Sequence, residues 1–378
     1  MKNKRVVLGM SGGVDSSVAA HRLKEDGYEV IGLFMRNWDS AANQDFLGNP
    51  NLEDDQCPQE KDFQDAQKVA DHLGIRLERV DFIEEYWRDV FQYFLDEYEK
   101  GRTPNPDIMC NKHIKFDAFA RHAEQFEPDC IAMGHFARVE REGSQVRLKR
   151  GVDPNKDQTY FLSQLRHSQL ERVLFPVGDL TKQEVRQMAQ KAGIPVMDKK
   201  DSTGICFIGE RHFNDFLRNY LPAKEGTIRT LEGDALGTHF GLMHYTIGQR
   251  KGLGIGGRPE YDNAPWFVIG KDLETNTLYV GQGYHHDRLY STSCTLEDVN
   301  LVNPTEALEG RPITAKFRYR QKDQNVTVEK KETGYHVLFE EPVRAVTPGQ
   351  ACVFYDGEVC LGGGTIATVY KNGTVLPY

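Results

Sequence analysis

"VLGMSGGVDSSVAAHRL", Val7 to Leu23, decides the fold. Apolar and small residues run into Gly12 and Gly13, then Asp15, Ser16 and Ser17, and an amphipathic stretch follows. A buried strand, a glycine turn and a helix start in that order make an anion cradle. The glycines let the backbone come close, and the turn's N–H groups and the helix dipole face the anion. A Walker loop would end in Gly-Lys-Ser/Thr, its lysine reaching the outer phosphates. Here that lysine is missing and Asp15 stands in the turn. Backbone donors plus an acid able to hold Mg²⁺ suit a bound pyrophosphate better than a transferable γ-phosphate.

The flanking pattern extends this unit. Val6–Met10 reads as a buried strand and Asp15 to Asp26 as a helix, with Val18, Ala19 and Leu23 on one face and Gly27 as its stop. Further strands are expected at Val30–Met35, at Arg76–Val80 and in "CIAMGH" ending at His135. Helices are expected at Asp62–Leu73, around Glu85–Glu99 and at Lys112–Phe126, and the polar stretch Asn37 to Glu60 reads as a loop. Strands alternating with helices imply right-handed crossovers and an α/β, doubly wound parallel sheet. After Gly209 the style changes to glycine-rich turns and short alternating runs such as "PWFVIG", "PITAKFRYR" and "GGGTIATVY". These predict a small central β-rich domain and a C-terminal β-barrel. The expected divisions are 1–209, 210–283 and 284–378.

The chain's 378 residues exceed what one core organises, which agrees with several domains. No apolar run is long enough to span a membrane, and the start does not read as a signal sequence, so a cytoplasmic protein without membrane partners is expected. Seven scattered cysteines without a C-x-x-C pair argue against a disulfide framework and a structural zinc site, and no bound metal is expected. The net charge of −9 disfavours wholesale nucleic-acid binding but leaves room for a local basic face. Such a face is expected at Arg311 to Lys331, where seven Lys/Arg stand against two acids with Phe317 and Tyr319 interleaved. Arg250 and Lys251, in a glycine-rich turn, also suit phosphate.

Two cysteines stand out. In "GRTPNPDIMCNKHIKF", Gly101 to Phe116, a proline-braced turn precedes Asp107 and Cys110. Cys110 reads as a thiol at a helix N-terminus beside Lys112 and Lys115, which lowers its pKa. In "DSTGICFIGER", Cys206 follows a glycine and precedes Glu210 and Arg211. Cys57, Cys130, Cys294, Cys352 and Cys360 read as small buried hydrophobes. Asp107 fits a general acid/base, an activator of Cys110, or a helix N-cap.

"SGGVDS" after the first strand resembles the PP-loop of N-type ATP pyrophosphatases. Together with "GLFMRNW", "GRTPNPDIMCNKHIKF", "MGHFAR", "KDQTYFL", "DSTGICFIGER", "HYTIGQRKGLGI", "KFRYRQ" and "AVTPGQACVFY", it resembles the bacterial tRNA-specific 2-thiouridylase family, from Gly9 to Tyr355. The resemblance implies that ATP, with Mg²⁺, adenylates the C2 oxygen of a wobble uridine and that cysteine-borne persulfide sulfur replaces it. The implied ATP site is Gly9, Met10, Ser11, Gly12, Gly13, Val14, Asp15 and Ser16, with main-chain contacts from Met35 and Gly134. Cys206 carries the persulfide, and Cys110 either attacks the adenylated base or resolves the persulfide. The residues alone assign neither role.

For the tRNA, the resemblance implies that Asn105, Pro106 and Asp107 read the extruded base. His135, Lys156, Asp157, Gln158, Arg318, Tyr319 and Gln350 would contact the rest of the tRNA. It also implies a cysteine desulfurase or sulfur-relay protein as donor. Both thiols are expected in one cleft beside the loop, farther apart than a disulfide allows until tRNA closes a mobile "TGICFIGER" segment. Two rivals remain open: another PP-loop ligase, which needs no paired thiols, and a non-catalytic RNA-binding protein.

Overall fold

The computed structural model describes residues 4–50, 58–201, 204–209, 211–257, 259–305, 307–332 and 334–378. Cys57, Glu210, and Ser202 and Thr203 of the "DSTGICFIGER" stretch lie outside them. A five-stranded parallel sheet comes first, built from β1 (Arg5–Gly9), β2 (Glu29–Arg36), β3 (Arg76–Asp81), β4 (Cys130–Ala132) and, after a hairpin described below, β7 (Val173–Leu174). Its order is β3-β2-β1-β4-β7. Val6, Val7 and Leu8 are wholly buried because helices cover both faces, which is why β1 reads as an unbroken apolar run. In register, Val7 lies opposite Ile31 of β2 and Ile131 of β4.

Chain order runs outward from β1 in both directions, so the topology reverses between β1 and β4. A crevice opens there at the strands' carboxyl ends, where ligands bind in such sheets. The loop into α1 (Val14–Glu25) and the segment after β4 both end in this crevice. α1 starts without a side-chain cap, while Ser17 Oγ donates to the Gly13 carbonyl at 2.8 Å. α2 (Pro58–Leu73) packs Ala66, Val69 and Ala70 inward. The strand expected to reach His135 stops at Ala132, and Met133 to His135 turn out of the sheet toward the crevice.

Two helices depart from regular winding. The segment expected around Glu85–Glu99 contains a π-helical turn, Trp87–Phe91, and the Cys110 segment winds as a π-helix over Cys110–Ala118. Such wide turns cluster at functional sites.

The two β regions follow. β8 (Gly226–Arg229), β9 (Ala235–His239), β10 (Trp266–Asp272) and β11 (Thr277–Gln282) form a central sheet of order β10-β11-β8-β9. β12 (Tyr290–Leu301), β13 (Ile313–Lys316), β14 (Gln324–Lys331), β15 (Gly334–Arg344), β16 (Ala351–Asp356) and β17 (Val359–Lys371) close into a barrel, because β12 pairs with both β15 and β17. Closure removes the exposed edges. Cys294 and Cys352 lie in the barrel core.

The β-hairpin of β5 (Ala137–Glu142) and β6 (Gln145–Arg150) was not expected. It lies within the first 209 residues, yet β6 pairs with β17: Cys360 faces Leu148 and Val359 faces Lys149. The parallel-sheet region and the barrel are therefore joined through one sheet.

Other contacts fasten the β regions to the Gly101–Pro106 turn. Gln350 Nε2 donates to the Thr103 and Pro104 carbonyls at 2.7 and 3.4 Å, and Thr103 N to Pro348 O at 3.0 Å. Arg102 pairs with Glu97 and with Glu297 of β12. Lys271 of β10, 6% exposed, donates from Nζ to the Gly101 carbonyl at 2.9 Å.

Arg318 requires a correction. It does not project as a phosphate-binding cation of a basic strand face. Its Nη2 donates to the carbonyls of Ile247 and Ala345, both at 2.9 Å, and to Thr347 Oγ1 at 3.0 Å. Three neutral acceptors enclose the guanidinium, so it braces the junction of the two β regions. Its neighbour Arg320 is exposed. Replacing Arg318 by Glu is therefore expected to lower the melting temperature by several degrees, as an unpaired buried charge does. Arg320→Glu should leave it unchanged.

Burial lowers the Lys271 ammonium to about 7. The unfolded chain holds that proton up to the ordinary lysine value of about 10.4. Between these limits the unfolded state binds more protons, so stability rises with pH, and below about 7 the contribution is flat. Lys271→Met should remove that slope. Its melting temperature relative to the unaltered chain should fall from pH 7 to pH 10, and a constant difference would contradict the burial argument.

Candidate active site

The crevice is a cleft of about 450 Å³. Gly9, Met10, Ser11, Gly13, Val14, Asp15 and Ser16 line it, with Met35 and Gly134. Gly12 lies behind the loop with φ +71°, and a Cβ there would sit 2.1 Å from the Asp62 carbonyl oxygen. At Gly134 a Cβ would meet the Ser16 amide nitrogen at 3.0 Å. The two glycines thus let α2 and the end of β4 close on the loop.

Two lysines far along the chain serve this loop, and the sequence reading missed both. Lys182 Nζ lies 2.6 Å from Asp15 Oδ1 and 2.7 Å from Asp201 Oδ1. Lys199 Nζ donates to the Gly12 carbonyl at 3.1 Å and pairs with Asp62 and Asp65, each at 2.8 Å. Burial raises the Asp15 pKa while Lys182 opposes the shift. Asp201 is held down to about 2: its partial burial is overcome by hydrogen bonds from Lys156 and Lys182. Only the fold, invisible in sequence, puts "TKQEV" beside "SGGVDS".

No group of three or more His, Cys, Asp or Glu side chains suited to a metal occurs among the described residues. Mg²⁺ needs fewer, because it usually binds one or two carboxylates and takes its other ligands from phosphate and water. Asp15, lining the cleft, fits that demand.

The thiols meet at the other end of the cleft. Cys110 Sγ and Cys206 Sγ lie 3.5 Å apart across 96 residues, both as free thiols. They are already in contact, contrary to the expectation of a wider separation before tRNA binds. The Cys206 segment is held from three sides. Cys206 N donates to Asp107 Oδ1 at 3.3 Å, Tyr86 OH to the Cys206 carbonyl at 2.7 Å, and Gln59 Nε2 to the Phe207 carbonyl at 2.8 Å. Phe207 has φ +65°, a left-handed conformation unfavourable for a bulky side chain. Those three hydrogen bonds hold it there.

The two thiols differ in access. Cys206 lines the cleft and is partly exposed, whereas Cys110 is wholly buried behind it. The expectation of a low Cys110 pKa is also corrected. Cys110 follows the first turn, Pro106–Met109, and is not at the helix start. Burial pushes its thiol up, and the bond with Cys206 adds to the shift. Cys206 is the lowered thiol, through the hydrogen bond from Cys110 and through Lys115, against its own burial. Lys112 reaches away, with Nζ 3.4 Å from Gln164 Oε1.

Asp107 is not the N-cap. Asn105 occupies that position, without a side-chain cap bond, and the Asp107 carboxylate accepts from Cys206 instead. Burial raises the Asp107 pKa, which suits a group that must hold a proton.

Of the residues expected at the tRNA, Asp107, His135, Lys156 and Gln158 line the cleft. His135 is buried with no protein partner for Nδ1, and burial holds its pKa well below the usual value. Gln158 Oε1 accepts from Phe136 N at 2.9 Å, and Lys156 pairs with Asp201 at 2.6 Å. Asp157 is turned inward, accepting from Gly151 N and from Thr159 N and Oγ1. Asn105 and Pro106 lie outside the cleft lining, and Asn105 Oδ1 is buried without a partner beside Tyr93 and Gln164. Tyr319 packs on Phe161 with ring centres 4.5 Å apart. Gln350 acts on the turn that presents Asn105, as described above.

Of the polar run Asn37 to Glu60, residues 37–50 form a loop as expected and are built into the site wall, whereas 58–60 already belong to α2 and 51–57 lie outside the described residues. Trp38 is buried and donates from Nε1 to Asp45 Oδ2 at 2.9 Å, and Arg211 pairs with the same oxygen at 2.7 Å. Side chains at both ends of the Asp45–Arg211 pair are 3% exposed or less.

Residues 4–210 match the model of the tRNA methyl transferase HUP domain, 214–282 that of the tRNA methyl transferase PRC-barrel domain, and 291–366 that of the aminomethyltransferase beta-barrel domain. The tRNA-specific 2-thiouridylase MnmA of Acholeplasma laidlawii is 59% identical over 372 residues, 98% of either chain. That of Listeria monocytogenes is 58% identical over 375 residues, 99% of this chain and 97% of the relative. That of Staphylococcus saprophyticus is 57% identical over 379 residues, all of this chain and 99% of the relative. A solved 4-thiouridine synthetase–RNA complex with bound ATP is 14% identical with a TM-score of 0.32, covering 57% of this chain and 50% of that one, too slight a likeness to argue from. Nearly complete coverage at well over half identity leaves one assignment: the chain belongs to the tRNA-specific 2-thiouridylase MnmA family and is a sulfurtransferase that modifies tRNA.

Proposed function

We propose that this enzyme adenylates the C2 oxygen of a wobble uridine and replaces it with sulfur carried on Cys206. The observation that carries the reading is the thiol pair, 3.5 Å apart, opening through Cys206 onto the cleft that also holds the glycine loop. The loop's backbone N–H groups bind the β,γ-phosphates, and Lys182 and Asp15 border them. Asp15 would hold Mg²⁺, which when bound would supply charge neutralisation at those phosphates. The uridine's C2 oxygen attacks the α-phosphorus and pyrophosphate leaves, which turns a poor leaving group into AMP.

Sulfur then follows. The terminal sulfur of a Cys206 persulfide attacks C2 and AMP departs, leaving a Cys206–S–S–C2 linkage. Cys110 attacks Cys206 Sγ, the sulfur–sulfur bond to the base breaks, and 2-thiouridine is released with its electron pair. A Cys110–Cys206 disulfide remains and is reduced by an external thiol. Asp107 manages the proton beside Cys206, and buried, neutral His135 offers the base an uncharged hydrogen-bonding partner. A cysteine desulfurase or sulfur-relay protein supplies the persulfide in the cytoplasm.

The decisive test incubates unmodified tRNA with the enzyme, ATP, Mg²⁺ and a persulfide donor, then identifies nucleosides by mass spectrometry. 2-Thiouridine is expected, and a linked Cys110–Cys206 peptide after one turnover without reductant. Cys110→Ser and Cys206→Ser should each abolish thiolation yet retain pyrophosphate release; thiolation by either variant would refute the two-cysteine route.

The loop has its own test. Asp15→Ala should lower pyrophosphate release at least a hundredfold, a loss of about 2.7 kcal/mol of transition-state stabilisation. Gly12→Val should bind ATP poorly, since its side chain meets the Asp62 carbonyl. Normal turnover in both would remove pyrophosphate binding from this loop.

A further inference from the structure

Lys115 enters the cleft wall from the π-helix Cys110–Ala118. In an α-helix, residues five apart point about 140° away from each other. The i→i+5 winding instead brings position 115 nearly over position 110. Its ammonium lines the same cleft as Cys206 and stands 5.5 Å from the centre of the Phe207 ring, the next residue in the chain.

The titratable groups around this cation and the thiol pair come from several elements. Asp107 lies on the preceding turn, and Cys110 on the same helix. Tyr86 comes from the turn Ile83–Tyr86, His135 from the segment after β4, and Cys206 from the loop above. Burial raises Asp107, Tyr86 and Cys110 toward their protonated forms, and burial with Lys115 keeps His135 neutral. Burial opposes the charge on Lys115, and the neighbouring Cys206 is the foremost of the groups that favour it. Cys206 is partly exposed on the cleft that Lys115 lines, while Cys110 is sealed behind.

We propose that Lys115 is the positioning residue that holds Cys206 as a thiolate and thereby makes Cys206 the thiol that captures sulfur, leaving Cys110 for resolution. The proposal rests on the two-cysteine reading above. In the capture step the Cys206 thiolate attacks the terminal sulfur of the donor's persulfide. The donor's sulfur–sulfur bond breaks, its thiolate leaves with the electron pair, and Cys206 bears the persulfide with no net oxidation. The Lys115 ammonium balances the negative sulfur before and after transfer.

The test measures iodoacetamide alkylation of Cys206 against pH, read by peptide mass spectrometry, without tRNA or ATP. Cys110→Ser serves as parent, alone and combined with Lys115→Gln or Lys115→Arg. The parent midpoint should lie below the ordinary thiol value of about 8.5. Lys115→Gln should raise it by about one unit and slow labelling at pH 7 about tenfold, while Lys115→Arg should keep it low. Superimposable profiles for parent and Lys115→Gln would overturn the proposal, as would a parent midpoint at or above 8.5.

A second measurement needs no lysine variant. Limiting iodoacetamide on the unaltered chain at pH 7 should label Cys206 before Cys110, and the reverse order would overturn the proposal even if Lys115→Gln does not fold. A chain that passes both measurements but never makes 2-thiouridine would refute the proposed reaction while upholding the role of Lys115.

Discussion

The hydrogen bond from the Cys206 amide to the Asp107 carboxylate is the constraint from which the site's geometry follows. It joins segments 99 residues apart and fixes one thiol against the other. A carboxylate that has lost water on burial needs such a donor, and the amide of a tight turn needs such an acceptor. Tyr86 and Gln59 add bonds on either side and hold Phe207 in its left-handed conformation. The strain at that residue and the contact between the sulfurs are two aspects of the same closure.

The β regions extend this logic outward. Gln350, Pro348 and Lys271 grip the turn ahead of Asp107 by its backbone, so the turn's position is set by the barrel and the central sheet. Arg318 ties those two regions to each other. Residues that read as RNA contacts in sequence therefore include several whose side chains are committed to the protein. Asp157 and Gln350 are of this kind, each holding the backbone of a neighbouring loop.

Legibility in the sequence followed the range of the interactions. The glycine loop, the first strand and α1 are local, and period and turn chemistry place them within a residue or so. The pairing of Cys110 with Cys206 was reached through family resemblance, since no local signal links them. Lys182 and Lys199 could not be read, because their roles depend on segments that only the fold brings to the loop. Lys115 was read beside Cys110 alone, because only the fold brings Cys206 into the cleft that Lys115 lines. Arg318 failed for the opposite reason. A run of cations looks the same in sequence whether it faces solvent or, as Arg318 does, two carbonyls and a hydroxyl. Burial likewise hid the loop from Asn37, where one carboxylate, Asp45, holds Trp38 and Arg211 and turns a polar run into an internal wall.

The hairpin shared with the barrel also has a meaning in time. Leu148 and Val146 are buried in the finished molecule, and β6 finds its partner in β17. Val359 is synthesised 209 residues after Arg150, counting 359 less 150. At ribosomal rates of about 5–20 residues per second, that is a delay on the order of ten to forty seconds. Throughout it the nascent first region carries a hairpin with an open edge and the apolar side chains of Val146 and Leu148 uncovered, while the strand that will pair with it does not yet exist. The last-made part of the chain thus completes the first-made part, and a ribosome that stalls in the barrel would release an aggregation-prone fragment in place of a smaller working enzyme.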